Sequence, residues 1–317
     1  MEAFKRLGVR VQLQFCSDID ANCRARLRKM HGEQCHIYTD LKQRKTPALA
    51  KAPHIYTAGF PCQPWSSAGK GEGESDSQGR GDLFPSILAF IQDAQPDVLI
   101  LENVKALLSS THRQFFKSMI QSLKGNGRYY VYWRAFSPQQ VGIPQNRPRV
   151  FIIGFLASTR AAHHFKWPKL GPCRVGLRSF FGKIKKDQEA VVSNPRKGTR
   201  SAKALDAALK ELQKHGQEPY VIDCHGRGVS ALYDRLPRLT RTRCMSGGYF
   251  LTHKQRFMSV EEMLKLQGFP GRFAEKARAM AISPRSLAGM VGNAISVDLL
   301  EVLLDRVLSA LHMASLL

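Results

Sequence analysis

Asp97-Val-Leu-Ile-Leu-Glu-Asn-Val104 is a continuous apolar run that ends in a carboxylate. A strand that is apolar on both faces is covered on both faces, which marks a central strand of a parallel, helix-flanked sheet. Glu102 at its tip is costly unless it is paired or does chemical work. Strand-like and helix-like stretches alternate around it: strands at 54–58, 129–135 and after 141–149, helices at 82–93 and 115–123. That alternation predicts an α/β sheet with its functional residues at the carboxyl ends of strands.

Just upstream, Ala58-Gly-Phe-Pro-Cys-Gln-Pro-Trp-Ser-Ser-Ala-Gly69 displays a cysteine at the mouth of a turn. Pro61 fixes its own φ and keeps the residue before it extended, so the backbone entering Cys62 is stiff. The run Gly69-Lys-Gly-Glu-Gly-Glu-Ser-Asp-Ser-Gln-Gly-Arg-Gly81 has no apolar residue to anchor it and reads as a mobile lid. A stiff thiol beside a flap suggests covalent chemistry on an enclosed substrate. By composition alone, Cys62 fits a small buried hydrophobe equally well.

Toward the N-terminus, residues 1–7 are helix-like and residues 9–15 alternate apolar and polar, a strand pattern. Cys16-Ser-Asp-Ile-Asp20 follows, then a basic helix over 21–31. An acid between a strand end and a helix is where doubly wound folds hold a ribose hydroxyl pair. Asp20 suits the helix cap, which leaves Asp18 as the ribose candidate. A strand at 36–39 ends at Asp40-Leu41, where an acid could accept from an adenine amino group.

The 317 residues suffice for a full core and two domains. No run of 18 or more apolar residues occurs and no signal-peptide pattern opens the chain, so a soluble, intracellular chain with no membrane partner is expected. Seven irregularly spaced cysteines do not make a disulfide framework, and the absence of Cys-x-x-Cys or His-x-x-x-His pairs argues against a metal. The net charge of +23 points to a polyanionic partner. Residues 155–260 carry 21 Lys and Arg against 7 Asp and Glu, or +14 of that total. One domain is therefore expected to meet phosphates. Periodicity loosens from 155 to 256, with one clear helix at 202–214 and partial disorder expected over 183–199.

Five stretches, Pro61-Cys-Gln-Pro64, Glu102-Asn-Val104, Gln145-Asn-Arg-Pro-Arg149, Leu266-Gln-Gly-Phe-Pro270 and Gly292-Asn-Ala-Ile-Ser296, stand in order across most of the chain. In this order they resemble the DNA (cytosine-5) methyltransferase family. The resemblance implies an α/β, Rossmann-like S-adenosylmethionine-dependent methyltransferase sheet with a smaller basic target-recognition domain. The corresponding domains are 1–154, completed by 281–317, and 155–280. It implies methyl transfer from S-adenosylmethionine to carbon 5 of cytosine in double-stranded DNA by a monomer, located in a nucleus or, in a bacterium, the nucleoid. A catalytically impaired DNA-binding relative or fragment, and a tRNA cytosine-5 methyltransferase of the same family, are the alternatives.

Carbon 5 of cytosine is a poor nucleophile until a thiolate adds to carbon 6, and the resemblance gives that role to Cys62. Glu102 would hydrogen-bond ring nitrogen 3, and Arg149, with Arg147 nearby, would bind oxygen 2 and stabilise the developing anion. Phosphate contact or a structural salt bridge is the alternative for the arginines. By resemblance the cofactor pocket is lined by Asp18, Ile19, Asp40, Leu41, Pro61, Leu83 and Asn293. The DNA face includes Gln63, Ser66, Arg238, Arg241 and Arg243, the last three from the basic run 235–243. Two departures stand out. The family usually has Glu where this chain has Asp18, a shorter reach. Its opening strand and Gly-rich loop, Asp-Leu-Phe-x-Gly-x-Gly-Gly or similar, are not found, so a sheet without its first strand and with an exposed edge, as in a fragment, is expected.

Overall fold

The computed structural model describes residues 1–32, 35–43, 54–60, 83–172, 174–181, 197–213, 218–224, 230–246 and 248–316. They form two compact units. The first, here the mixed-sheet unit, comprises Leu7–Phe136, Pro148–Pro168 and Val302–Leu317; the second, the antiparallel-sheet unit, comprises Met1–Arg6, Ser137–Arg147 and Lys169–Glu301. The division departs from the expected 154/155 and 280/281. Residues 155–168 join the mixed-sheet unit, whereas 1–6, 137–147 and 281–301 join the other.

In the mixed-sheet unit, β1 (Phe15–Ser17) pairs in parallel with β2 (His36–Tyr38). A second sheet has the order β3-β4-β6-β5, from β3 (Ile55–Gly59), β4 (Val98–Val104), β5 (Tyr129–Phe136) and β6 (Arg149–Leu156). β4 runs parallel to β3 and antiparallel to β6. The apolar run is therefore central, with Val98, Leu99, Ile100 and Leu101 buried, but only one of its neighbours is parallel. Among the described residues no strand joins β1 to β3. The alternating stretch 9–15 becomes a strand only at Phe15, and Val9 and Val11 stay 36% exposed, because alternation supplies no partner strand.

The helices of this unit follow their apolar spacing. α2 (Ala21–His31) is capped by Asp20, whose carboxylate accepts from the amides of Asn22 and Cys23. α3 (Phe84–Ala94) buries Phe84, Ile87, Phe90 and Ile91, and α4 (Arg113–Lys124) buries Phe116, Met119, Ile120 and Leu123. Both pack into one core with Leu99, Leu101, Val150 and Ile152 of β4 and β6.

The antiparallel-sheet unit opens with α1 (Glu2–Arg6) and contains a sheet of order β10-β9-β7-β8. Its strands are β7 (Tyr220–Asp223), β8 (Ser230–Tyr233), β9 (Tyr249–Leu251) and β10 (Arg256–Phe257). The pattern over 155–256 did not disclose this sheet, because its strands are two to four residues long and leave no periodicity to read. Its helices are α5 (Leu177–Phe181), α6 (Arg200–Leu212), α7 (Arg241–Met245), α8 (Val260–Leu266), α9 (Arg272–Ala279) and α10 (Pro284–Asn293). α11 (Val297–Ser315) starts in this unit. The expected disorder at 183–196 lies outside the described residues.

Two glycines of the family-like stretches are fixed by close approach. Gly292 ends α10 against α7, where an added Cβ would stand 2.6 Å from the backbone nitrogen of Arg241. Gly268 has φ +75°, and a Cβ there would strike the Asp298 carboxylate.

α8 begins with a capping box in which the Ser259 hydroxyl accepts from the Glu262 amide and the Glu262 carboxylate accepts from the Ser259 amide. Glu262 is fully buried and also takes Arg256 and Lys254 at 2.8 and 2.9 Å. Burial alone would push its carboxyl up, but the bonds from Arg256 and Ser259 outweigh it and hold the group below the usual carboxylate range. A depressed folded-state pKa adds stability above the ordinary carboxylate pKa, and the gain is lost as pH falls. Urea unfolding of Glu262→Gln should therefore cost about 3 kcal/mol at neutral pH, typical of a broken buried pair. The deficit should shrink toward pH 4; an equal deficit at both pH values would show that charge is not what matters there.

Candidate active site

The β4–β6 register sets Glu102 opposite Phe151. Directly opposed residues share a face, and so do residues two apart on one strand. Arg149 thus becomes the diagonal neighbour of Glu102, and its Nε lies 2.9 Å from Glu102 Oε1. Both side chains are nearly dry, at 12% and 13% exposure. Arg149 Nη1 donates to the Pro148 carbonyl at 2.9 Å, and Nη2 bonds nothing among the described residues. The acid and guanidinium expected on one pyrimidine are therefore held together, with one fork of the guanidinium still available.

β3 supplies the other wall. Gly59 stands opposite Glu102, and a Cβ on it would lie 3.6 Å from Glu102 Oε2. A hydrogen atom there keeps the approach to the carboxylate open. Asn103, fully buried, points its amide nitrogen at the Phe60 carbonyl, 3.5 Å away. It thereby reaches the last described residue before the Pro-Cys turn. Pro61, Cys62, Gln63, Ser66 and the Gly-rich stretch lie outside the described residues.

Three other thiols are unsuited to nucleophilic attack. Burial pushes Cys16, Cys224 and Cys244 up to about 12, the Cys35 thiol and Asp223 adding to the effect on Cys16 and Cys224 respectively. They stay protonated at neutral pH, and a thiol is a poor nucleophile.

The cofactor candidates fall at the carboxyl ends of β1 and β2. The Asp18 amide donates to the Tyr38 carbonyl at 3.2 Å, so the two strand exits lie side by side. Asp18 Oδ1 accepts from the Asp20 amide at 2.8 Å, and Asp40 Oδ1 from the Lys42 amide at 2.9 Å. Each carboxylate has a second oxygen without a partner among the described residues. Ile19, next to Asp18 in the turn, is 80% exposed, whereas Leu41 packs on the core. Two fixed acceptors at adjoining strand exits, with an open apolar side chain beside one of them, offer what a nucleoside needs: acceptors for its hydroxyls and a surface for its ring. Leu83 sits at the start of α3.

The remaining candidates belong to the antiparallel-sheet unit. Arg147 is 4% exposed and spends its guanidinium on backbone: Nη1 bonds the Leu239 carbonyl, and Nη2 those of Gly292 and Ala294 at 3.2 and 3.1 Å. It staples the basic run to the end of α10, a structural use of an arginine proposed for catalysis. Asn293 is exposed at that end. Arg243 is paired with Asp223 at 3.1 Å; Arg241 is exposed and Arg238 half-buried.

The arginines separated by one proline should therefore fail differently. Arg147→Ala strands three carbonyls and should lower unfolding stability by about 3 kcal/mol or more. Arg149→Lys keeps the positive charge but not the fork, and should lower turnover by about a hundredfold with the thermal midpoint nearly unchanged. Thermal melts beside single-turnover rates distinguish the two, and the same pattern in both variants would refute the division of roles.

Known proteins resemble this chain over most of its length. The family model for C-5 cytosine-specific DNA methylase matches residues 2–309. Type II methyltransferase M.HaeII of Haemophilus aegyptius is 31% identical over 263 residues, 82% of this chain and 76% of that protein. Type II methyltransferase M.NgoBI of Neisseria gonorrhoeae is 32% identical over 251 residues, covering 78% and 71%. Among solved structures, a putative DNA modification methyltransferase encoded within a prophage of E. coli superposes with TM-score 0.66 at 16% identity, covering 98% of this chain and 95% of that one. The Entamoeba histolytica methyltransferase EhMeth gives TM-score 0.64 at 16% identity, covering 97% and 93%. At that identity the two structures establish the shared fold.

Proposed function

The chain belongs to the C-5 cytosine-specific DNA methylase family, and from that premise we propose that it transfers a methyl group to carbon 5 of cytosine in DNA through a covalent adduct with Cys62. The observation that carries this reading is the Glu102–Arg149 pair, two complementary charges on adjoining strands beside the residues that lead into the Pro-Cys turn.

Cys62, as thiolate, adds to carbon 6 of the base, and the electron pair of the 5,6 double bond moves toward carbon 5 and the ring edge. Glu102, ionised against Arg149 in the free protein, takes up a proton from water as the base enters and donates it to ring nitrogen 3. Arg149 turns its unused Nη2 toward oxygen 2 and stabilises the charge that collects on it. S-adenosylmethionine, when bound, supplies an electrophilic methyl group. Loss of the carbon-5 proton to a base restores the double bond and expels the Cys62 sulfur. Asp18, Asp40 and Ile19 would hold the nucleoside of that cofactor, with Leu41, Pro61 and Leu83 completing its lining.

A base in a duplex must leave the stack to meet these groups, at a cost of a few kcal/mol. The +23 net charge offsets that cost through phosphate contacts. Arg238 and Arg241 are the described cations proposed for that contact, along with Gln63 and Ser66; Arg243 brings its charge already matched by Asp223. The two sequence relatives named above, from Haemophilus aegyptius and Neisseria gonorrhoeae, are bacterial, which favours DNA in a nucleoid and gives no support to a nucleus.

Fluorine at carbon 5 of the target cytosine removes the proton whose loss frees the enzyme. A duplex carrying it should stay attached to the protein in denaturing gels when cofactor is present. Cys62→Ser should form no such complex and should lower methyl transfer by about a thousandfold or more. Wild-type transfer by Cys62→Ser, or trapping that survives it, would overturn the adduct.

A further inference from the structure

We infer that Arg24 is a positioning residue for the nucleoside site, setting the backbone from which Asp18 projects. The inference rests on the assignment of Asp18 to the ribose. Arg24 lies in the first turn of α2, and its Nη1 donates to the carbonyls of Asp18 and Ile19 at 2.8 and 2.7 Å. Its own amide donates to the Asp20 carbonyl at 3.0 Å. These are its contacts among the described residues; the guanidinium bonds neither carboxylate of the turn.

The placement makes little sense as helix stabilisation. The first turn of a helix is the positive end of its dipole, where a cation is disfavoured. What the cation does there is gather two consecutive carbonyls onto one side of the turn. Outside a helix consecutive carbonyls commonly diverge, and a single guanidinium nitrogen with two N–H groups draws these two together. With both carbonyls held toward α2, the Asp18 carboxylate is fixed by the Asp20 amide through Oδ1 and keeps its second oxygen unengaged, while Ile19 stays in the open. Without Arg24 the two carbonyls would be left to water, and the turn could rotate the acid away from the ribose.

The test is calorimetric binding of S-adenosylhomocysteine to the full chain, and of its analogue lacking both ribose hydroxyls. For the natural ligand, Arg24→Ala should weaken binding by about ten- to a hundredfold, the worth of two charge-assisted bonds to a part-exposed turn, with Arg24→Lys in between. Asp18→Asn should weaken it as well. For the analogue, Arg24→Ala should bind within twofold of the wild type, because the hydroxyls through which Asp18 acts are missing; general loosening of the fold would weaken both ligands alike. If Asp18→Asn weakens binding and Arg24→Ala does not, or if Arg24→Ala weakens both ligands equally, Arg24 has no positioning role and the cofactor assignment stands. If neither substitution matters for the natural ligand, the assignment of Asp18 itself fails, and this inference with it.

Discussion

A carboxylate at the dry end of a buried strand needs a partner, and in this protein the partner is Arg149. The four buried residues of β4 from Val98 to Leu101 leave little water near Glu102. An unpaired charge there would cost several kcal/mol, and a guanidinium 2.9 Å away removes most of that cost. The antiparallel register of β4 and β6 makes the contact, and a shift of one residue would send Arg149 to the opposite face. In the proposed mechanism the structural requirement and the catalytic one coincide. The same two groups that neutralise each other in the free protein would meet neighbouring edges of the pyrimidine, so the pair would be organised before the base arrives.

Much of this was legible in the residues. The apolar run, the helix over 21–31, the Asp20 cap and the buried faces of α3 and α4 each follow from local rules that need no knowledge of the rest of the chain. The Glu102–Arg149 contact was not legible as a contact, since 47 positions separate the residues and only the register joins them. The sheet of the antiparallel-sheet unit escaped for another reason. Its strands are too short for periodicity, and much of the stretch is dense in Lys, Arg, Gly and Pro. The alternation at 9–15 misled because a pattern specifies which face could be buried and not whether anything covers it.

Gln145-Asn-Arg-Pro-Arg149 shows how one motif can serve two units. Arg147 closes a network of backbone carbonyls in the antiparallel-sheet unit, and Arg149 starts β6 in the mixed-sheet unit. Pro148 between them fixes φ and keeps the preceding residue out of the helical region, so the chain passes from one role to the other without slack. Sequence alone groups the two arginines as one catalytic pair because identical side chains two positions apart offer no local sign of which is buried among carbonyls. Gly292 completes the arrangement: its carbonyl receives Arg147, and its missing side chain lets α7 approach to within contact of α10.

The turn after β1 carries an aspartate, Asp18, where the family resemblance leads one to expect a glutamate, and the shorter side chain has a physical consequence. A glutamate can search for a hydroxyl pair through an extra rotatable bond; an aspartate delivers its carboxylate wherever the backbone directs it. Reach is lost, but so is a rotamer whose freezing on binding would cost up to about 1 kcal/mol. The shorter acid therefore suits a turn that is itself held. This one is tied by the Asp20 amide to the carboxylate, by the Asp18 amide to the Tyr38 carbonyl of the neighbouring strand, and by Arg24 to two carbonyls. One restraint holds the carboxylate and the others hold the main chain that carries it, so rigidity in the main chain would take over the work that length does in a longer side chain.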